Sequence, residues 1–157
     1  MGPVLYFIKV GFNLESKIRG NSAYNAAKSY NMLNAFNADG EIVYEQICLS
    51  YGNLTGAEGV NVQSDDLGFH FTWTDNSNST GNKKLFISGG DQVMVLAYDL
   101  TDKLAYFITA GAARDIGKET LALYEGLKGR SFHLWISFIS ENRDRIATST
   151  YLGEKVF

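Results

Sequence analysis

Phe132-His133-Leu134-Trp135-Ile136-Ser137-Phe138-Ile139, the charged cluster Glu141-Asn142-Arg143-Asp144-Arg145, and Ile146-Ala147-Thr148-Ser149-Thr150-Tyr151-Leu152 together spell a β-hairpin. Successive side chains of a strand point to opposite faces. Phe132, Leu134, Ile136 and Phe138 therefore share one wholly apolar face that has to meet a core, and His133, Trp135, Ser137 and Ile139 share the other. The same alternation recurs in Phe69-His70-Phe71-Thr72-Trp73-Thr74-Asp75, where the odd positions through Trp73 are large and aromatic. Antiparallel sheet is the reading that both stretches share.

Working outward, further strands are expected at Ile42 to Leu49, Val60 to Val62, Val93 to Tyr98, Leu104 to Thr109 and Thr120 to Tyr124, separated by Gly, Asn, Asp and Ser clusters. Val93-Met94-Val95-Leu96-Ala97 is apolar on both faces, which fits a central strand covered on both sides. Ser22 to Asn37 reads as the one good helix, with Ser22 as N-cap, an apolar face of Ala23, Ala26, Ala27, Tyr30, Leu33 and Phe36, and Asp39-Gly40 closing it. Asn25, Lys28, Asn31 and Asn34 form its polar face, and 76–82 is the most polar loop. The fold class is mainly β: an immunoglobulin/fibronectin-like antiparallel β-sandwich of about seven or eight strands with an N-terminal α-helix packed on it. Residues 1–40 are the N-terminal extension and helix, and residues 41–157 the sandwich, in one structural unit.

Composition bounds the function. A chain of 157 residues, 45% hydrophobic and 20% charged, has the size of one domain with a real core. A net charge of -3 and no Lys/Arg-rich run argue against nucleic acid as a partner. No apolar run reaches the ~18 residues of a membrane span, so no membrane insertion is expected. Val4 to Val10 contains Lys9 and lacks the flanks of a signal peptide, and its abrupt start reads as a domain cut from a longer protein. Compartment is left undetermined. The single cysteine, Cys48, lies between Ile47 and Leu49, where it packs as a small hydrophobe.

Motifs that carry chemistry fail on mechanism. Gly111 to Thr120 superficially matches a phosphate-binding loop, but five residues separate Gly111 from Gly117 and Glu119 stands where a hydroxyl should reach the metal. It reads as an inter-strand loop. Asp75 to Gly81 has alternating oxygen side chains, yet its glycine comes one place late and Phe86 replaces the bidentate Glu of a calcium loop. Asp75 is expected to cap a turn, with a cation shared with Asp91 as the lesser reading. His70 and His133 have no ligand at zinc spacing and are read as partly exposed structural residues. No metal, no cofactor and no catalytic residue is therefore expected.

Aromatic richness is the feature most open to function. Trp135 and Tyr151 face one another across the hairpin, and with Trp73 they are the candidate ligand-binding residues, suited to stacking on a glycan or anchoring a protein. The competing reading buries this face under the N-terminal helix. The leading functional expectation is a non-catalytic module for protein-protein interaction, with a protein partner or in self-association and structural assembly. A carbohydrate-binding module is the alternative, and a hydrolase around Asp75, Asp91 and His70 a third.

Ser29-Tyr30-Asn31, Leu49-Ser50-Tyr51-Gly52-Asn53-Leu54, Phe71 to Asn76, Asp91-Gln92-Val93 and Ser149 to Gly153, taken in order, resemble an uncharacterised bacterial family of unknown function, abundant in anaerobic gut bacteria. The resemblance runs from about Gly11 to the end and implies a Gly-rich N-terminal segment not seen here. It brings no activity and no site residue.

Overall fold

The computed structural model describes residues 2–78 and 86–157; positions 79–82 of the expected polar loop lie outside the described residues. Three helices precede the sheets: α1 (Leu5–Gly11), α2 (Asn13–Arg19) and α3 (Ala23–Asn34). Seven strands follow among the described residues: β1 (Glu58–Asp65), β2 (Gly68–Thr74), β3 (Gln92–Asp99), β4 (Ala105–Ile108), β5 (Lys118–Ala122), β6 (Ser131–Ile139) and β7 (Thr150–Val156). They form two antiparallel sheets in the orders β1-β2-β5 and β4-β3-β6-β7.

Alternation sets how the sheets meet. Phe69, Phe71 and Trp73 of β2 pack against Phe132, Leu134, Ile136 and Phe138 of β6 in one buried cluster with Val93, Val95 and Ala97 of β3. Phe69 meets Phe132 edge-on at 5.5 Å, and Trp73 meets Phe138 likewise at 5.5 Å. The even face of β6 is thus the sandwich interior, as its periodicity requires. β6 and β7 pair with Trp135 opposite Tyr151, and a register shift at Leu134/Trp135 interrupts the ladder. The last strand begins later than the apolar run suggests: Ile146 only bridges Ile139, and Ala147 bridges Asn53 and Leu54.

β3 is covered on both sides. Met94 and Leu96 turn outward with Trp135 and Ile139, and Phe7 of α1, Leu49 and Ile146 bury them. This second layer corrects the expectation of a single helix, because α1 and α2 also form. An apolar run as short as Val4 to Val10 shows no period by which helix could be told from strand. α1 closes on the chain so tightly that a Cβ on Gly11 would lie 2.1 Å from the Leu49 carbonyl oxygen, so only glycine fits.

α3 starts as expected, with the Ser22 hydroxyl accepting from Asn25 N at 3.1 Å. Its buried face differs from the expected one: Ala26, Ala27 and Asn31 are inside, while Leu33 is 80% exposed. The helix ends at Asn34, before Phe36 reaches the apolar side. Asn31 explains a further correction. Its side-chain amide accepts from Cys48 N and donates to Cys48 O, each at 2.8 Å, so the groups a strand partner would take are already satisfied. Ile42 to Leu49 is accordingly no strand but a connection with one 3-10 turn at Tyr44–Gln46.

At one end of the sandwich lies a fully buried arginine. Arg114 Nη2 and Asp91 Oδ2 are 3.2 Å apart, with side chains 0% and 2% exposed. The guanidinium also donates to Gly56 O (3.0 Å), Asn76 Oδ1 (3.0 Å) and Thr55 O (2.7 Å), and stacks over Phe138 at 3.9 Å. Its carbonyl accepts from Trp73 Nε1 at 2.7 Å. The phosphate-loop look-alike is therefore a structural loop with Arg114 as its anchor.

Removing core volume should separate the inward from the outward faces. Phe71→Ala and Ile136→Ala are each expected to lose about 2 to 5 kcal/mol in urea denaturation, whereas His70→Ala, on the outer face of β2, should lose under ~1 kcal/mol. Equal midpoints for the three variants would mean the faces are assigned wrongly.

Candidate functional site

The structure brings two of the three candidate aromatics together and separates the third. Trp135 lies on the outer face of the four-stranded sheet, 2% exposed, with its Nε1 donating to Ile47 O at 3.2 Å. Tyr151 packs on it at 5.2 Å between ring centroids. Trp73 is 6% exposed in the sandwich interior, part of the Arg114 cluster. Both indoles are almost wholly buried, because the N-terminal layer covers one and the facing sheet the other.

His133 is buried, which corrects its expected exposure. It stacks on Tyr44 at 3.6 Å, and its Nδ1 is 2.7 Å from the Tyr151 hydroxyl. Burial pulls its pKa below the ordinary 6.5, while Glu154 and Glu45 act weakly the other way. Burial, helped by Glu45 and Glu154, raises the Tyr151 phenol, so the pair is neutral at pH 7. Tyr98 is raised by burial, with Tyr44 and Asp99 adding to it.

Beside this cluster opens a cleft of about 310 Å³ between α3 and the sheet. The α3 side supplies Tyr24, Lys28 and Met32, spaced four residues apart on one helical ridge. Ile42, Tyr44, Ile47 and Leu49 form the opposite wall, with Tyr98 and Trp135 beneath. Lys28 is the sole charged lining residue and makes no ion pair among the described residues.

The other titratable groups have separate partners. Asp91 is held by Arg114, and Asp75 caps its turn by accepting from Ser77 N at 2.9 Å. His70 bridges Asp65 (Nε2 to Oδ1, 2.7 Å) and Thr120 (Nδ1 to Oγ1, 2.8 Å) across three strands. That row orders a hydroxyl, an imidazole and a carboxylate, but it lies on an open sheet face, and none of the three residues lines the cleft beside α3 or the groove beside α2. It acts as cross-strand pairing. Cys48 is pushed up to about 11 by burial and stays a thiol, donating to Ser50 O at 2.9 Å. Among the described residues no cluster of three His, Cys, Asp or Glu could hold a metal, and no helix is long and apolar enough to cross a membrane.

Comparison with known sequences agrees with the ordered motifs. The profile of a family of unknown function, DUF6266, matches residues 1–153. The chain belongs to this family. The match includes α1, which the resemblance from about Gly11 onward left out. No curated protein matches the chain.

Sequence reasoning missed the cleft and Arg114. The cleft is built by α3 and a non-strand connection, two elements whose meeting no local period announces. Charge held a readable signal that was passed over: residues 1–38 carry four basic and one acidic side chain, a net +3, and residues 39–157 carry ten basic and sixteen acidic, a net -6.

The buried neutral His133 makes stability depend on pH. Its folded pKa is depressed, so its contribution is complete above the unfolded value of 6.5 and is lost as pH falls from there through the folded value. The urea midpoint of the protein is expected to drop between about pH 7.5 and pH 5, and His133→Gln should flatten that part of the profile. Parallel profiles would contradict the assignment.

Proposed function

We propose that this chain is a non-catalytic β-sandwich module for protein-protein interaction, which builds an assembly of its own copies through the outer face of the helical layer. The observation that carries the reading is the exposure of a large apolar side chain on each helix: Tyr6 of α1 (68%), Ile18 of α2 (82%) and Leu33 of α3 (80%). α1 and α3, with Phe12 between α1 and α2, already bury Phe7, Ile8, Phe12, Ala26 and Ala27 on the inner side of the layer. A helix that is apolar on both sides is ordinarily covered on both.

Charge selects the partner surface. The helical segment is net positive and the remainder net negative, so the helices of one copy complement the acidic sandwich of the next. Such a contact is head-to-tail and generates a ring or a filament. The strand orders support a fibronectin type III-like sandwich, with β1-β2-β5 as strands A-B-E opposite β4-β3-β6-β7 as C′-C-F-G. That likeness concerns fold and licenses no activity. Absence of catalysis is supported by the occupation of the reactive groups: Asp91 by Arg114, His133 by Tyr151, and Cys48 by its own protonation. Burial of Trp135 and Trp73 favours protein contact over glycan stacking.

Sedimentation velocity over a range of protein concentrations tests the proposal. Association is expected to grow with concentration and to weaken as salt rises from ~0.05 to ~0.5 M, where screening shortens the reach of the charges. Ile18→Glu and Leu33→Glu should remain monomeric. A single monomeric species at every concentration and salt would contradict it.

A further inference from the structure

We infer that the cleft between α3 and the outer face of the four-stranded sheet binds a small monocarboxylate with a bulky apolar body. This site is distinct from the outward helical face used for assembly. Its volume of about 310 Å³ is near the lower end of ligand pockets. It is roughly twice the ~150 Å³ apolar cavity that accepts a benzene. A bicyclic ring or a medium-length acyl chain therefore fits, and a large cofactor does not.

The lining decides the chemistry. Met32, Ile42, Ile47 and Leu49 offer aliphatic walls, and Tyr98 and Trp135 an aromatic base, so the body of the ligand must be apolar to repay leaving water. Two polar side chains of the wall are already engaged: the Asn31 amide with Cys48 and Ala27 O, and the Trp135 indole with Ile47 O. A polyhydroxylated sugar would leave hydroxyls unmatched along the aliphatic walls. What remains is one ammonium, Lys28, together with the phenols of Tyr24, Tyr44 and Tyr98, which make no hydrogen bond among the described residues. One cation with neutral donors nearby complements a single negative charge that accepts hydrogen bonds. A phosphate dianion would bring a second charge against apolar walls without a partner.

Naphthalene-2-carboxylate and decanoate serve as probes, with naphthalene-2-methanol as the uncharged control. In spectra of the full chain carrying labelled indoles and methionine methyls, both acids are expected to shift the Trp135 Nε1–H and the Met32 methyl saturably. The Trp73 Nε1–H, in the opposite core, should stay in place. Lys28→Met alters an exposed side chain and should leave the free spectrum unchanged while weakening the acids about five-fold and the alcohol not at all. Unmoved Trp135 and Met32 signals with both acids would overturn the inference. So would acids that bind no more tightly than the alcohol, or that ignore Lys28→Met.

Discussion

Arg114 occupies the place where the two sheets are tied at one end. Its guanidinium reaches the carbonyls of Thr55 and Gly56 ahead of β1, the Asn76 side chain after β2 and the Asp91 carboxylate ahead of β3, and it lies on the Phe138 ring of β6. Trp73 of β2 donates to its carbonyl. Burial disfavours the charged guanidinium, and Asp91 first, then Asp75 and Glu58, oppose that cost. A buried ion pair is no guarantee of net stability, but an orphaned partner is severely penalised. The arrangement therefore specifies one geometry: displacing the Asp91 loop leaves a charge in the core without its counterpart, and displacing the others costs the guanidinium hydrogen bonds.

The other end of the design is the helical layer. A four-stranded sheet with apolar residues on both sides of β3 needs a second cover, and α1 with the 44–49 connection provides it through Phe7, Tyr44 and Leu49. Asn31 and Gly11 make this possible. One supplies the hydrogen bonds that Cys48 lacks from a sheet, and the other allows the backbone of α1 to touch Leu49. Because the cover is a connection and not a strand, it leaves the cleft beside α3. Folding requirements and the candidate binding site thus arise from the same layer.

Much of the sandwich was legible because strand alternation is a local signal. Phe69 to Trp73 and Phe132 to Phe138 face inward as their spacing requires, Val93 to Ala97 is covered on both sides, and Ser22 caps its helix. What failed depended on distant partners. Ile42 to Leu49 has a strand's composition, yet Asn31 takes the backbone hydrogen bonds of Cys48 within it; Leu33 sits at an apolar helical position, yet is largely exposed. Arg114 stood in a loop that looked like a motif, and only its three-dimensional neighbours show why an arginine is there. His133 was expected to be partly exposed and is sealed by Tyr44, a residue 89 positions away in the chain.

Interaction surface and cleft both assume that the sandwich is a rigid platform, and its rigidity at the loop end is assigned to the buried guanidinium. Equilibrium urea denaturation of Arg114→Met measures this most directly, since methionine keeps apolar volume but leaves Asp91 without its cation. The loss is expected to be about 3 to 5 kcal/mol, the range for breaking a buried pair from one side. A loss below ~1 kcal/mol, within the range of an exposed pair, would contradict the claim that Arg114 holds the two sheets in register.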